Sequence, residues 1–261
     1  MDVATINVAR FAIVGGAVMP LVLVSLGSWR GWFPAWLTLS RRRLALASLL
    51  VAGWSYLVWY PSTITPGYDA IAYWATDLDT LYSGEYGSAG LFVYSPAAAL
   101  LSLPLGLLPE QLFIVVWTAL LVGTMAWLAG REALIWLAFP PLICLVFMGN
   151  IEILLGAAIV IGFRHPWTWS FVLLTKVTPG VGLLWFVVRR DWHALAVALA
   201  ATALIVVTTY AFLPGAWLSW LAFLSESQGS EGWAPLLPRL AVATALVVWG
   251  ARTDRRWTVV V

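Results

Sequence analysis

The chain has 261 residues, of which 62% are hydrophobic and 10% charged, with a mean hydropathy of +0.91 and a formal net charge of +2. Soluble domains carry about 25% charged residues, so this balance excludes an aqueous globular domain and points to the membrane. The sum of the charges says less than their distribution, and the single cysteine, Cys144, lies inside an apolar run and forms no intrachain disulfide.

Apolar runs of membrane length recur along the chain, at about 9–28, 44–60, 92–108, 111–129, 132–148, 150–163, 167–188, 192–213 and 235–250. The first reads as a span and not as a signal peptide, because no A-x-A-like site closes it and Arg10 is the one basic residue at its start. The run at 92–108 contains Pro96 and Pro104 and is expected to be kinked or half-inserted; the run at 150–163 is short and reads as a span or a re-entrant segment. Helices are expected throughout, since lipid offers backbone amides no partner, and the alternating ten-residue strands of a membrane barrel are missing. The fold class is therefore all-α: one integral membrane domain over 1–261 with about nine transmembrane or re-entrant helices. Arg30 and Arg41–Arg43, Arg189 and Arg190, and Arg252, Arg255 and Arg256 all fall on one side when the spans are threaded, and that side is cytoplasmic by the positive-inside rule. Two extracytoplasmic loops result, 61–91 and 214–234. After ARTDRR the chain reads WTVVV, which is read as the first turn of another span cut short.

The loop 61–91 is the acidic exception in a greasy chain. TPGYDAIAYWATDLDTLYSG places Asp69, Asp77 and Asp79 within eleven residues, among tyrosines and a tryptophan. Thr65 followed by Pro66 is a helix start. From Tyr68 on, Ile71, Trp74, Leu78 and Leu81 fall on one helical face and Asp69, Tyr73, Thr76 and Thr80 on the other. The spacing predicts a short amphipathic helix along the membrane surface, with Asp69 central on its polar face and Asp77 and Asp79 beside it. The plainer reading is that Asp69 caps this helix and the other aspartates are solvated.

Lys176, in LLTKVTPG, is the second exception: a cation about nine residues, or roughly 13 Å at the helical rise, from the outer end of its span. Burying such a charge in a membrane costs about 3 kcal/mol or more, so it usually marks a site. Pro179, three residues on, loosens the helix and frees carbonyls beside it. A cation at headgroup depth suits a phosphate; the alternative is a lysine that snorkels or pairs with Glu152, the other buried-looking charge.

These stretches together resemble glycosyltransferase family 87, a group of polytopic GT-C enzymes. YDAIAYW with LYSG resembles the family's aspartate, aromatic pair and Y-x-G; FVYSPAAALLSLPLGLLP its YPP…P…LP run; Gly149-Asn150 its GQ/GN step; LLTKVTP with RRDW its LK…P…R-x-W run; and SWLAFLSESQGS its late SW…N-x-S loop. The resemblance covers about 44–261. The span at 9–28 is additional to the family's usual start, the chain ends several spans early, and Gln228 stands where Asn is usual.

The resemblance implies a plasma-membrane, multi-pass enzyme of the cell envelope. It would take a sugar, mannose- or arabinose-like, from a polyprenyl-phosphate donor and pass it to a glycolipid or glycan acceptor at the extracytoplasmic face, with inversion. A phosphodiester leaves without a general acid, so one carboxylate acting as base suffices, where a soluble glycosidase needs two. The resemblance assigns Asp69 as base, Lys176 to the departing phosphate, and Tyr73, Trp74, Asp77, Tyr94 and Asn150 to sugar or acceptor. No cofactor, metal or nucleic-acid partner is expected: His165 and His193 sit alone at span ends, and Asp77-Leu78-Asp79, formally D-x-D, lies where no nucleotide sugar is expected. The rival readings are a lipid or sugar transporter or flippase, which also uses a membrane lysine and broken helices, and a non-catalytic membrane scaffold.

Overall fold

The structure, a computed structural model, describes residues 46, 48, 67–84, 90–130, 136, 140–176, 178–227 and 236–259. The expected span at 9–28, nearly all of that at 44–60, and the helix start at Thr65–Pro66 lie outside these residues. Every regular element among the described residues is helical: α1 (Ala70–Trp74), α2 (Pro96–Ser102), α3 (Glu110–Ala129), α4 (Pro140–Met148), α5 (Glu152–Gly162), α6 (Trp169–Thr175), α7 (Leu184–Arg189), α8 (Trp192–Phe212), α9 (Pro214–Ser227) and α10 (Leu236–Thr253), with 3-10 segments at Leu103–Leu107, Pro166–Thr168, Thr178–Leu183 and Arg256–Val259.

Of the expected spans, α3 and α8 are long and apolar enough to cross a bilayer, with 20 and 21 residues and a mean hydropathy of 2.2 each. At 1.5 Å per residue each covers about 30 Å, the thickness of the hydrocarbon core. Both stay largely uncovered by protein. In α3 the buried positions are Phe113, Trp117, Leu121 and Met125, one stripe four residues apart, while Leu112, Val115, Val116 and Leu120 are exposed. In α8, Ala194 and Ala198 are buried, and Leu199, Leu204, Val207 and Phe212 are exposed. Water would not tolerate apolar faces of that size, and lipid does.

The remaining apolar stretches are shorter helices. The run at 92–108 divides into α2 and the 3-10 turn that carries Pro104, and α5 has 11 residues, about half a membrane crossing. The run at 167–188 is broken. Helix α6 ends at Thr175, Lys176 is extended at φ −132° and ψ 120°, and a 3-10 segment starts at Thr178. Pro179 is the cause: it donates no hydrogen bond and its ring clashes with the carbonyl four residues earlier, that of Thr175. Within the stretch expected as an extracytoplasmic loop, 214–234, residues Pro214–Ser227 form helix α9. Pro214 opens it, and Trp217 and Phe223 are buried.

The chain divides into two compact units, Met1–Tyr68 with Val116–Asn150, and Asp69–Val115 with Ile151–Val261. In the first, the Gly67 amide donates to the Phe147 carbonyl at 2.8 Å, Trp117 Nε1 donates to the Gly149 carbonyl at 2.8 Å, and the Asn150 amide donates to the Leu145 carbonyl at 2.8 Å. In the second, α8 packs against α6 and the 3-10 turn before it, and α10 against α7. Ala194 and Ala198 give α8 the small surface that close helix packing in a membrane uses. Ala97, Leu174 and Trp217 form a buried cluster joining α2, α6 and α9. At one end of this unit Arg189 reaches Asp254 at 3.1 Å and the Ala251 carbonyl at 3.2 Å, so two of the three arginine groups used to orient the chain share one end.

Candidate functional site

The acidic segment folds differently from the amphipathic helix its spacing suggests. Helix α1 has five residues, and Asp69 stands just before it, half-buried, with no side-chain cap bond. The polar side chains downstream stop the helix. Thr76 Oγ1 donates back to the Ala72 and Tyr73 carbonyls, at 2.9 and 3.0 Å. Asp77 then accepts from the Asp79 amide and from Thr80 Oγ1, both at 3.2 Å. Such local side-chain bonds compete with helix hydrogen bonds and favour turns. Asp77 and Asp79 are accordingly exposed turn residues.

Tyr73, expected on the polar face beside Asp69, points inward. Tyr73 is 2% exposed and Tyr94 7%; their hydroxyls share a hydrogen bond of 2.9 Å and their rings lie 5.6 Å apart. Trp74 donates its indole N–H to the Leu108 carbonyl at 2.8 Å. Of the three aromatics expected at the sugar, Tyr73 and Tyr94 are thus buried and bonded to each other, and Trp74 is half-buried against Leu108. Tyr94 is fixed from three sides. Its own carbonyl accepts from the Tyr82 hydroxyl at 2.7 Å, and the Val93 carbonyl accepts from Trp220 Nε1 at 3.2 Å. Ser95 caps α2 through the Ala98 amide and donates its hydroxyl to the Leu174 carbonyl at 2.5 Å. The last bond ties the Tyr94 segment to the end of α6, two residues ahead of Lys176.

The electrostatics of the tyrosine pair show what surrounds it. Burial, then Tyr94 itself, then the Asp69 charge hold the Tyr73 phenol well above its ordinary range, against the Ile151 backbone amide, which works the other way. The Tyr94 phenol is pushed up to about 12, first by burial, with the charges of Asp69 and Glu152 adding to it and the hydrogen bond from Tyr73 opposing it. Two carboxylates therefore act on one buried phenol. Glu152, the first residue of α5, is engaged by Lys176 Nζ at 2.6 Å.

Lys176 and Glu152 line a cleft of about 730 Å3 together with Arg239, Thr178 and the apolar side chains of α5, α10 and the last 3-10 turn. Two glycines let its walls close. A Cβ on Gly250 would overlap Thr258 Oγ1, and one on Gly182 would stand 2.5 Å from the Trp169 ring. No residue of the Asp69 segment lines this cleft, so Lys176 and Asp69, expected to open into one space, do not share it. Asn150 belongs to the other unit. Among the described residues no three His, Cys, Asp or Glu side chains gather as a metal would require.

Sequence reasoning missed Ser95, Tyr82, Trp220 and Arg239. Ser95 was signalled, since a serine before proline is a helix N-cap pattern; the others act across more than ten residues and leave no local mark. Residues 92–261 match the sequence model of glycosyltransferase family 87, a match that begins after Asp69. No curated protein and no solved structure matches the chain significantly. With a helical structure, two membrane-length helices left bare, and a family match over well over half its length, the chain belongs to glycosyltransferase family 87 and is a membrane glycosyltransferase.

Proposed function

We propose that the enzyme transfers a mannose- or arabinose-like sugar from a polyprenyl-phosphate donor to a lipid or glycan acceptor at the extracytoplasmic face, with inversion. Asp69 takes the proton of the acceptor hydroxyl as that oxygen attacks the anomeric carbon. The bond from that carbon to the phosphate oxygen breaks on the opposite side, and polyprenyl phosphate leaves with the electron pair. One displacement inverts the centre. Lys176 faces the phosphate as its negative charge grows, an interaction strengthened where water is excluded. Tyr73, Trp74 and Tyr94 anchor the segment that carries Asp69, and Asp77 and Asn150 are assigned to the sugar or acceptor.

The observation that carries this reading is the position of Asp69, half-buried at the start of α1, four residues ahead of Tyr73, whose hydroxyl is bonded to that of Tyr94. Glu152 is held by Lys176, and Asp69 stands at a half-buried position at the start of α1, where we assign the acceptor hydroxyl. The test is incubation of the purified protein in nanodiscs with radiolabelled polyprenyl-phosphate mannose or arabinose and a membrane lipid extract. Label moving into a new lipid or glycan product is the expected result. Movement of intact donor between leaflets without transfer would instead favour a flippase.

A further inference from the structure

The cleft beside Lys176 has a direction. Helix α5 lines it with Glu152, Leu155, Gly156 and Ile159, and α10 with Arg239, Val242, Ala243, Leu246 and Val247. Both sets follow the three-and-four spacing of one helix face, and in both the charged residue comes first. The segment from Thr178 to Arg189 runs beside α10 in the same direction, because Arg189, at its far end, bonds the far end of α10 at Ala251 and Asp254. Lys176, Thr178 and Arg239 therefore share one end of the cleft, and the aliphatic side chains continue away from it. Leu155 and Ile159 are buried, while Val242 and Leu246 remain exposed. A charged head with an apolar, partly open channel behind it is the complement of an amphiphile.

We propose that this cleft binds the phosphate and the first part of the tail of a single-chain lipid phosphate, with Lys176 and Arg239 as its two cationic ligands and Glu152 as the counter-ion that the phosphate displaces. The proposal rests on the donor reading above and adds Arg239 and a release step to it. Charge decides the release. Two cations balance Glu152 and the single negative charge of a phosphodiester. After transfer the leaving lipid is a monoester, whose charge at neutral pH is about −1.5 to −2. The cluster is then net negative, Glu152 competes for Lys176, and the product is expelled. Glu152 holds Lys176 at 2.6 Å, which spares an unpaired ammonium beside apolar walls.

The experiment measures binding of farnesyl phosphate and of its methyl diester to the purified protein in detergent, with farnesol and inorganic phosphate as controls. The wild type is expected to bind the diester more tightly than the monoester, and farnesol and inorganic phosphate far more weakly than either. Arg239→Gln and Lys176→Met should each weaken diester binding about tenfold, the loss of one charge-assisted bond. Glu152→Gln should tighten monoester binding and erase its difference from the diester. Ala243→Trp, which fills the cleft, should abolish binding of both at an unchanged melting temperature. Wild-type affinity in Arg239→Gln, weaker binding in Glu152→Gln, or equal binding of farnesol would each overturn the proposal. If Arg239→Gln fails to fold, Ala243→Trp with wild-type affinity overturns it instead. The probes carry no sugar, so sugar transfer with normal probe binding in Arg239→Gln defeats only this inference, and the expected binding pattern without sugar transfer defeats only the donor reading.

Discussion

Replacing Tyr73 and Tyr94 by phenylalanine, singly and together, tests how the segment that carries Asp69 is anchored. Both rings stay, so packing changes little and the two hydroxyls are the variable. Tyr73→Phe strands the buried Tyr94 hydroxyl, which loses its 2.9 Å partner, and also leaves the Ile151 amide without the phenol oxygen that faces it. An unsatisfied buried polar group costs about 1–3 kcal/mol, and about 2 kcal/mol is expected here. Tyr94→Phe leaves the Tyr73 oxygen with that amide still beside it, so its cost is about 1 kcal/mol. In the double variant no hydroxyl is left stranded. Its loss should fall short of the summed single losses by about 0.5–1 kcal/mol, the usual coupling of groups in contact. Equilibrium unfolding of the four proteins in one detergent reads this directly. Additive losses would show that the two hydroxyls do not bond and that Tyr94 is not held as described.

Gly250→Val should destabilise the protein by about 1–3 kcal/mol in the same unfolding assay, because the new side chain meets Thr258 and the last 3-10 turn must move. Alkaline pH should also destabilise it. Unfolded tyrosines ionise near about 10, whereas Tyr94 does so at about 12 when folded and Tyr73 is also raised. Between those values the folded state binds more protons, so stability is fully present below about pH 10 and falls as pH rises towards 12; the Tyr73→Phe/Tyr94→Phe protein should show a flatter melting profile there. On the arginine asymmetry, a cysteine at Ser83 should react with an impermeant thiol reagent from outside intact cells and one at Thr253 should not; the reverse pattern would move Asp69 to the cytoplasmic side.

The helical class and the bounds of α3 and α8 are legible because length and hydropathy are local properties. The break at Lys176 is half legible: Pro179 predicts it, yet not that the chain becomes extended at the lysine itself. The acidic segment misleads because its helical spacing is real but Thr76 and Asp77 spend their side chains on their own backbone. For the same reason Tyr73 reads as polar-face and is buried: whether a phenol faces solvent depends on Tyr94, 21 residues away. The Lys176–Glu152 pair was one of two open readings, and its geometry places the lysine on a counter-ion, with Arg239 reaching the same cleft from a helix 60 residues further on.

The central claim is that Asp69 is the base. Sugar transfer and donor affinity measured on Asp69→Asn beside Glu152→Gln test it most directly. Asparagine keeps the shape and cannot take a proton at neutral pH. Transfer should therefore fall about a hundredfold or more in Asp69→Asn, with donor affinity and melting temperature unchanged, while Glu152→Gln keeps its chemistry. Full transfer by Asp69→Asn in a single turnover, with single-turnover transfer lost in Glu152→Gln, would contradict the account and make Glu152 the base.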